Sequence, residues 1–141
     1  MKFLSTLAIS LCLFAGPAAQ AQDAASEAPA KAAALQWLAL SDAGNYAATW
    51  EQAGKSLKDQ VSRSKWQSVM QNERAPLGGL KARQFKRATF MKQVTGLPDG
   101  EYCELEFNAT FERPAALVEA VGMQKDSDGV WRVIGYFAKP R

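Results

Sequence analysis

The chain has 141 residues, enough for one hydrophobic core, and its 17 basic against 14 acidic side chains leave a formal charge of +3. So slight an excess gives no ground for a nucleic-acid partner. Histidine is absent, which removes the commonest general base, every Ser-His or Cys-His arrangement and the usual zinc ligand sets.

Met1-Lys2 precede an apolar run from Phe3 to Ala15. Gly16-Pro17 break it, and Ala19-Gln20-Ala21 is the small-x-small pattern that signal peptidase needs. The run is well short of the roughly 20 residues that span a bilayer. Residues 1–21 are therefore expected to be a cleaved signal peptide. Lipidation at Cys12 is disfavoured by the large Leu11 before it. Export to the periplasm or beyond follows, with no membrane span in the mature chain. Cys103 is then the only thiol and has no disulfide partner. It alternates in step with Leu105 and Phe107, which suits a small buried hydrophobe.

Residues 22–30 are Ala, Ser, Glu and Pro without an apolar period, and are expected to be a disordered leader. A single domain then occupies 31–141. From Ala30 the pattern is helical, with Ala34, Leu35, Trp37, Leu38 and Ser41 on one broad face, and Gly44 just past its end. Asn45 can cap a second helix whose buried stripe is Tyr46, Trp50, Ala53 and Leu57. Ser64 with Gln67 makes a capping box for a third, anchored by Trp66, Val69 and Met70. Pro76 and Gly78-Gly79 end the helical half.

The rest reads as sheet. Arg83 to Val94 is a first strand with Lys81, Arg83, Lys86 and Arg87 exposed. Leu97-Pro98-Asp99-Gly100 is a turn, since Pro fixes φ and Gly supplies a positive one. The second strand alternates strictly: Cys103, Leu105, Phe107, Ala109 and Phe111 face one way, Tyr102, Glu104, Glu106, Asn108, Thr110 and Glu112 the other. After Arg113-Pro114 comes Leu117 to Gln124, then the Asp128-Gly129 turn and a last strand. There Trp131, Val133 and Phe137 are expected on one side, and Arg132, Ile134 and Tyr136 on the other. Gly135 marks a bend or a close approach. The turn fixes Trp131's register and sets it against the helices, near Trp50 or Trp37. The layout is α+β: three N-terminal helices packed on a curved antiparallel sheet of about four strands.

Few residues carry chemistry. Glu104 and Glu106 share a strand face about 7 Å apart. They suit an acid-base pair, or a solvated face paired with the basic first strand. Arg74, where a helix runs into a turn, can bond helix-end carbonyls or a carboxylate such as Asp42, or present its fork to an anionic ligand. With Tyr102 and Tyr136, which point away from the apolar series, it makes up the candidate binding set. No Gly-rich phosphate loop, metal-ligand spacing or nucleophile–base pair is present. No catalytic residue, metal or cofactor is assigned.

The chain resembles a bacterial family catalogued as domain of unknown function 4019. The likeness rests on Trp37-Leu38-Ala39-Leu40 with Asp42, Gly44, Tyr46 and Trp50, on Trp66, and on Arg74-Ala75-Pro76-Leu77-Gly78. In the sheet half it rests on Leu97-Pro98-Asp99-Gly100-Glu101-Tyr102, Phe107, Phe111, Val118-Glu119, Asp128-Gly129-Val130-Trp131-Arg132-Val133 and Gly135-Tyr136. That resemblance implies no mechanism. A looser one, to nuclear-transport-factor-2-like (cystatin-like roll) domains, implies a curved sheet enclosing a pocket, frequently in dimers. It departs from them in having no early strand between helices. The function expected is a secreted or periplasmic binding or interaction module without catalysis, whose partner is an envelope protein or a second copy. An inhibitor or immunity-type protein is its sharper form. The alternative is a small enzyme or ligand carrier using a roll cavity, with Arg74, Tyr102 and Tyr136 as polar groups and Glu104 or Glu106 as base.

Overall fold

The computed structural model describes residues 17–113 and 116–141. The expected signal peptide falls largely outside the described residues, as do Pro114 and Ala115. Helices come first: α1 (Pro17–Asp42), α2 (Tyr46–Glu51), α3 (Lys55–Gln60) and α4 (Arg63–Arg74), then a 3₁₀ turn at Ala75–Leu77. Strands follow: β1 (Leu80–Met91), β2 (Glu101–Phe111), β3 (Leu117–Lys125) and β4 (Trp131–Pro140). They form one antiparallel meander in the order β1-β2-β3-β4. The expected α+β architecture is present, with four α-helices among the described residues in place of three.

The stretch 22–30, read as a disordered leader, is instead helical, because α1 runs from Pro17 through Asp42 with Pro29 inside it. Its Ala, Gln and Glu residues are good helix formers. It lacks an apolar period because most of it faces water, and Ala30 and Ala34 are the first fully buried positions. At the other end Gly44 has φ +74°. The Asn45 N–H bonds the Leu40 carbonyl at 2.9 Å and the Gly44 N–H that of Ser41 at 3.0 Å, a Schellman stop.

The stripe expected as one second helix is split at Gly54. Its N–H donates to the Val133 carbonyl at 2.8 Å, and a Cβ there would lie 2.9 Å from Ile134 Cγ2. Only glycine lets the α2–α3 corner dock this closely on the edge of β4. Asn45 caps α2 as expected, accepting from the Ala48 N–H at 3.2 Å. The cap of α4 is Ser62, not Ser64, because Ser62 is the last extended residue and its Oγ accepts from the Lys65 N–H at 3.3 Å. Trp66 and Met70 anchor α4, but Val69 is exposed.

The helices cover the face of the sheet carrying Cys103, Leu105 and Phe107, together with Val121, Met123, Trp131 and Val133. Burying tryptophan requires a partner for each indole N–H. Trp37 and Trp66 donate to Thr49, at 2.9 Å to its carbonyl and 3.0 Å to its hydroxyl, and Trp50 donates to the Val61 carbonyl at 2.9 Å.

In β4 the expected alternation fails after Val133. Met123 pairs with Val133 but Gly122 with Gly135, so Ile134 is an extra, bulged residue. A bulge shifts the phase by one. Tyr136 therefore packs on the Trp131 side, its ring 5.5 Å from that of Trp37, and Phe137 is left 47 % exposed. Trp131 is buried as expected, though its ring partner is Phe90, edge-on at 6.0 Å, rather than Trp50 or Trp37.

Candidate functional site

Five elements deliver polar side chains to one point beneath the helices. The last turn of α1 supplies Ser41 and Asp42, the end of α4 Arg74, and the strands Arg83, Glu119 and Tyr136. An aspartate at a helix C-terminus opposes the helix dipole, so Asp42 needs cations, and it has two. Arg83 approaches it with Nη1 at 2.7 Å and Nη2 at 2.9 Å, and Arg74 with Nη2 at 2.6 Å. Arg74 Nη1 donates to Ser41 Oγ at 2.7 Å.

Glu119 is fully buried. It accepts from Arg83 Nε at 2.6 Å and Nη2 at 3.1 Å, and from the Tyr136 hydroxyl at 2.8 Å. Arg74 Nη1 stands 3.7 Å from its Oε1. The Arg74 guanidinium lies 5.0 Å from the centre of the Phe111 ring and 5.8 Å from that of Tyr136. Two guanidinium groups thus meet two carboxylates, and the cluster is neutral.

The titration behaviour follows. Burial pushes the Asp42 carboxyl up, but Arg83 and Arg74 outweigh it and hold it below the usual carboxylate range. Burial likewise opposes the charge on Arg83, and Asp42 and Glu119 outweigh it. The Tyr136 hydroxyl is pushed well above its ordinary value, first by burial and then by Glu119. With Glu119 accepting from Arg83 and Tyr136, and Asp42 from Arg83 and Arg74, the cluster offers no free base. It is a brace tying α1, α4, β1, β3 and β4.

Of the sequence candidates, Arg74 and Tyr136 therefore meet, and Arg74 finds Asp42, one of the partners weighed for it. Tyr102 does not join them. It lies on the opposite sheet face, buried, donating to the Pro98 carbonyl at 2.6 Å and accepting from Gln124 Nε2 at 3.3 Å. It closes the β1–β2 turn. It also lines a cleft of about 260 Å³ at that end of the sheet, with Asp23, Phe90, Lys92 and Trp131.

Glu119 and Arg83 are the residues sequence reasoning missed. Glu119 stands in step with Leu117 and Val121 on a central strand, and an acid within a buried series calls for a partner. Arg83, read as exposed, keeps 9 % of its side chain accessible.

The opposite face treats its acids differently. Glu106 lies directly across from Arg87, whose Nε is 2.6 Å away, and Lys86 Nζ is at 3.4 Å. Glu104, two residues earlier on the same face, makes no ion pair or hydrogen bond among the described residues. It lines a cleft of about 120 Å³ with Met91, Val94, Tyr102, Gly122 and Ile134.

Fold and site together define a small α+β domain whose helices are locked to its sheet by a neutral cluster of charges, buried except for Asp42 at its rim. The chain matches, over residues 33–136, the family described as "Protein of unknown function (DUF4019)", and belongs to it. No curated protein and no solved structure matches it.

Proposed function

We propose that this protein is an exported, non-catalytic binding or protein-interaction module, acting in the periplasm or outside the cell. An inhibitor or immunity-type role is the sharper form of the same reading. The observation that carries it is the division of labour between the two sheet faces. Arg74, Arg83, Asp42, Glu119 and Tyr136 satisfy one another beneath the helices, so the residues with most chemical capacity hold the fold. What remains open to a partner is the uncovered sheet face. The signal-like residues 1–21 motivate the location.

The alternative, an enzyme or carrier with a roll cavity, has less support. Glu106, one of its two candidate bases, is held by Arg87 and Lys86, and Tyr102 is far from Arg74 and Tyr136 in function, closing a turn instead. The test is mild crosslinking in periplasmic extracts of cells expressing the full chain, followed by mass spectrometry. A reproducible protein adduct is expected. Recovery of monomer alone, with no partner and no bound small molecule, sinks the reading.

A further inference from the structure

We infer that the open sheet face around Glu104 is a docking site for a lysine or arginine side chain presented by a protein partner. This rests on the interaction-module reading and names the chemistry of its partner.

The cleft is made by absence. Gly122 pairs directly with Gly135 across β3 and β4, so two facing residues contribute no side chain. Neither has a positive φ. A Cβ on Gly122 would meet nothing nearer than 3.8 Å, and one on Gly135 nothing within 4 Å. Neither backbone conformation nor crowding within the chain requires glycine there. Glycine inside a strand weakens it and often marks the close approach of another group. The floor is bare, and Met91, Val94 and Ile134 form aliphatic walls.

One charge sits in that apolar setting. Glu101 has Lys92 and Lys125, and Glu106 has Lys86 and Arg87. Glu104 is left without an internal cation among the described residues, although Arg87 is near enough for their charges to interact. Arg87's hydrogen bond goes to Glu106 instead. A carboxylate rimmed by aliphatic carbon complements a group with a cation on an aliphatic stem. Lysine and arginine are that group.

Size selects the source. Sites for whole small molecules run to about 300–1,000 Å³. The cleft, at about 120 Å³, is too small for such a ligand but holds one side chain. Phe137, 47 % exposed on the same face, extends the apolar surface for a larger partner, and a seated arginine with aromatic neighbours is a common interface anchor.

The test is an NMR titration of the ¹⁵N-labelled protein with three probes: the peptide acetyl-Val-Lys-Val-amide, its norleucine counterpart, and 1,5-diaminopentane. Saturable shifts at the Glu104, Gly122 and Ile134 amides are expected with the lysine peptide. The norleucine peptide should bind about two- to fivefold more weakly, the span of a partly exposed ion pair. Added salt should narrow that gap. Glu104→Gln should erase the difference, and Gly122→Val should fill the floor and abolish the shifts while the spectrum stays folded.

No saturable shift, or the same preference for lysine in Glu104→Gln, overturns the site. Tighter binding of the diamine than of the peptide overturns the protein partner in favour of a free amine. The crosslinking experiment, repeated with both variants, separates the two readings. An adduct unchanged by Glu104→Gln and Gly122→Val leaves the module standing and removes this site. Peptide binding without any adduct in the unaltered protein does the reverse.

Discussion

The two faces of the sheet handle the same problem, a carboxylate on a central strand, in opposite ways. Beneath the helices Glu119 is fully buried and accepts from Arg83 and from the Tyr136 hydroxyl, with a second cation, Arg74, nearby. On the open face Glu106, itself only 4 % exposed, is held by cations that reach water, Arg87 at 61 % and Lys86 at 41 %, and the half-buried Glu104 has no ion pair among the described residues. Desolvation explains the difference. A charge removed from water must be met by hydrogen bonds and opposite charge, as Glu119 and Glu106 both are, whereas the half-buried Glu104 keeps part of its water. The covered face is therefore built for cohesion, and on the open one Glu104 is left without an internal cation among the described residues.

The largest way to break the comparison is Glu119→Ala. It leaves Arg74 and Arg83 with only Asp42 between them, and Tyr136 without an acceptor. Removing one member of a buried pair costs about 3–5 kcal/mol, and two arginines put this case toward the upper end. Urea unfolding measures it. A loss below about 1 kcal/mol, the ceiling for exposed pairs, would mean that the guanidinium groups reach water and that the two faces do not differ. Trp131→Ala should come next, at about 3–5 kcal/mol for a large buried aromatic, since Trp131 packs edge-on against Phe90 and is 5 % exposed. A melting temperature that barely moved would make Trp131 a surface residue and place the covered face elsewhere.

Much of this was legible beforehand. Gly44, Asp128-Gly129 and the run Leu97 to Gly100 set element boundaries through their backbone preferences, and the strict alternation of β2 assigned its buried face correctly. What could not be read is phase after a bulge. β1 shifts register between Phe85 and Arg87. Arg83 and Phe85 therefore share a face with Ala88 and Phe90, although odd and even positions should oppose. A single period assigns Arg83 to solvent, and with it the brace is lost from view. Glu119 is the contrary case. Its inward direction was written in the spacing of Leu117 and Val121, but its partners come from β1, α4 and β4, and no local pattern brings those together.

Tyr136→Phe tests the brace without emptying it. The ring stays against Trp37 and only the hydroxyl bond to Glu119 is lost. Hydrogen bonds to a charged group are worth about 1.5–3 kcal/mol, so a loss in that range is expected by urea unfolding. A neutral outcome would leave Arg83 as the sole necessary partner of Glu119.

Acid separates the buried brace from the wet end of the sheet. At the β3–β4 turn Asp128 is pulled from 3.8 down to about 2, first by Arg132 and then by the Val130 N–H. Its folded value lies below its unfolded one, so folding favours the ionised form. That contribution is present above about pH 4 and is lost as pH falls toward 2. Asp42, also lowered, acts in the same direction. Melting temperature should therefore fall between pH 5 and pH 2.5, and Asp128→Asn should flatten part of the slope. A slope unchanged in Asp128→Asn would assign the acid sensitivity to the brace alone.

The smallest effect is the most diagnostic of the bulge. Tyr136 and Phe137 are neighbours, and an unbroken strand would place Phe137 with Trp131 and Val133. The extra residue Ile134 reverses them, leaving Phe137 47 % exposed opposite Ala120 on the open face. Phe137→Ser should then alter stability by no more than about 0.5 kcal/mol, the usual range for a surface position. Had the alternation held, the same change would put a hydroxyl and a cavity into the core and cost several times as much. Deleting Ile134 removes only the extra residue: Gly135 would follow Val133 in regular alternation, and Tyr136 would stay inward and Phe137 outward. A Phe137→Ser variant as unstable as Trp131→Ala would show that β4 runs without its bulge, and the open face would lose its aromatic rim.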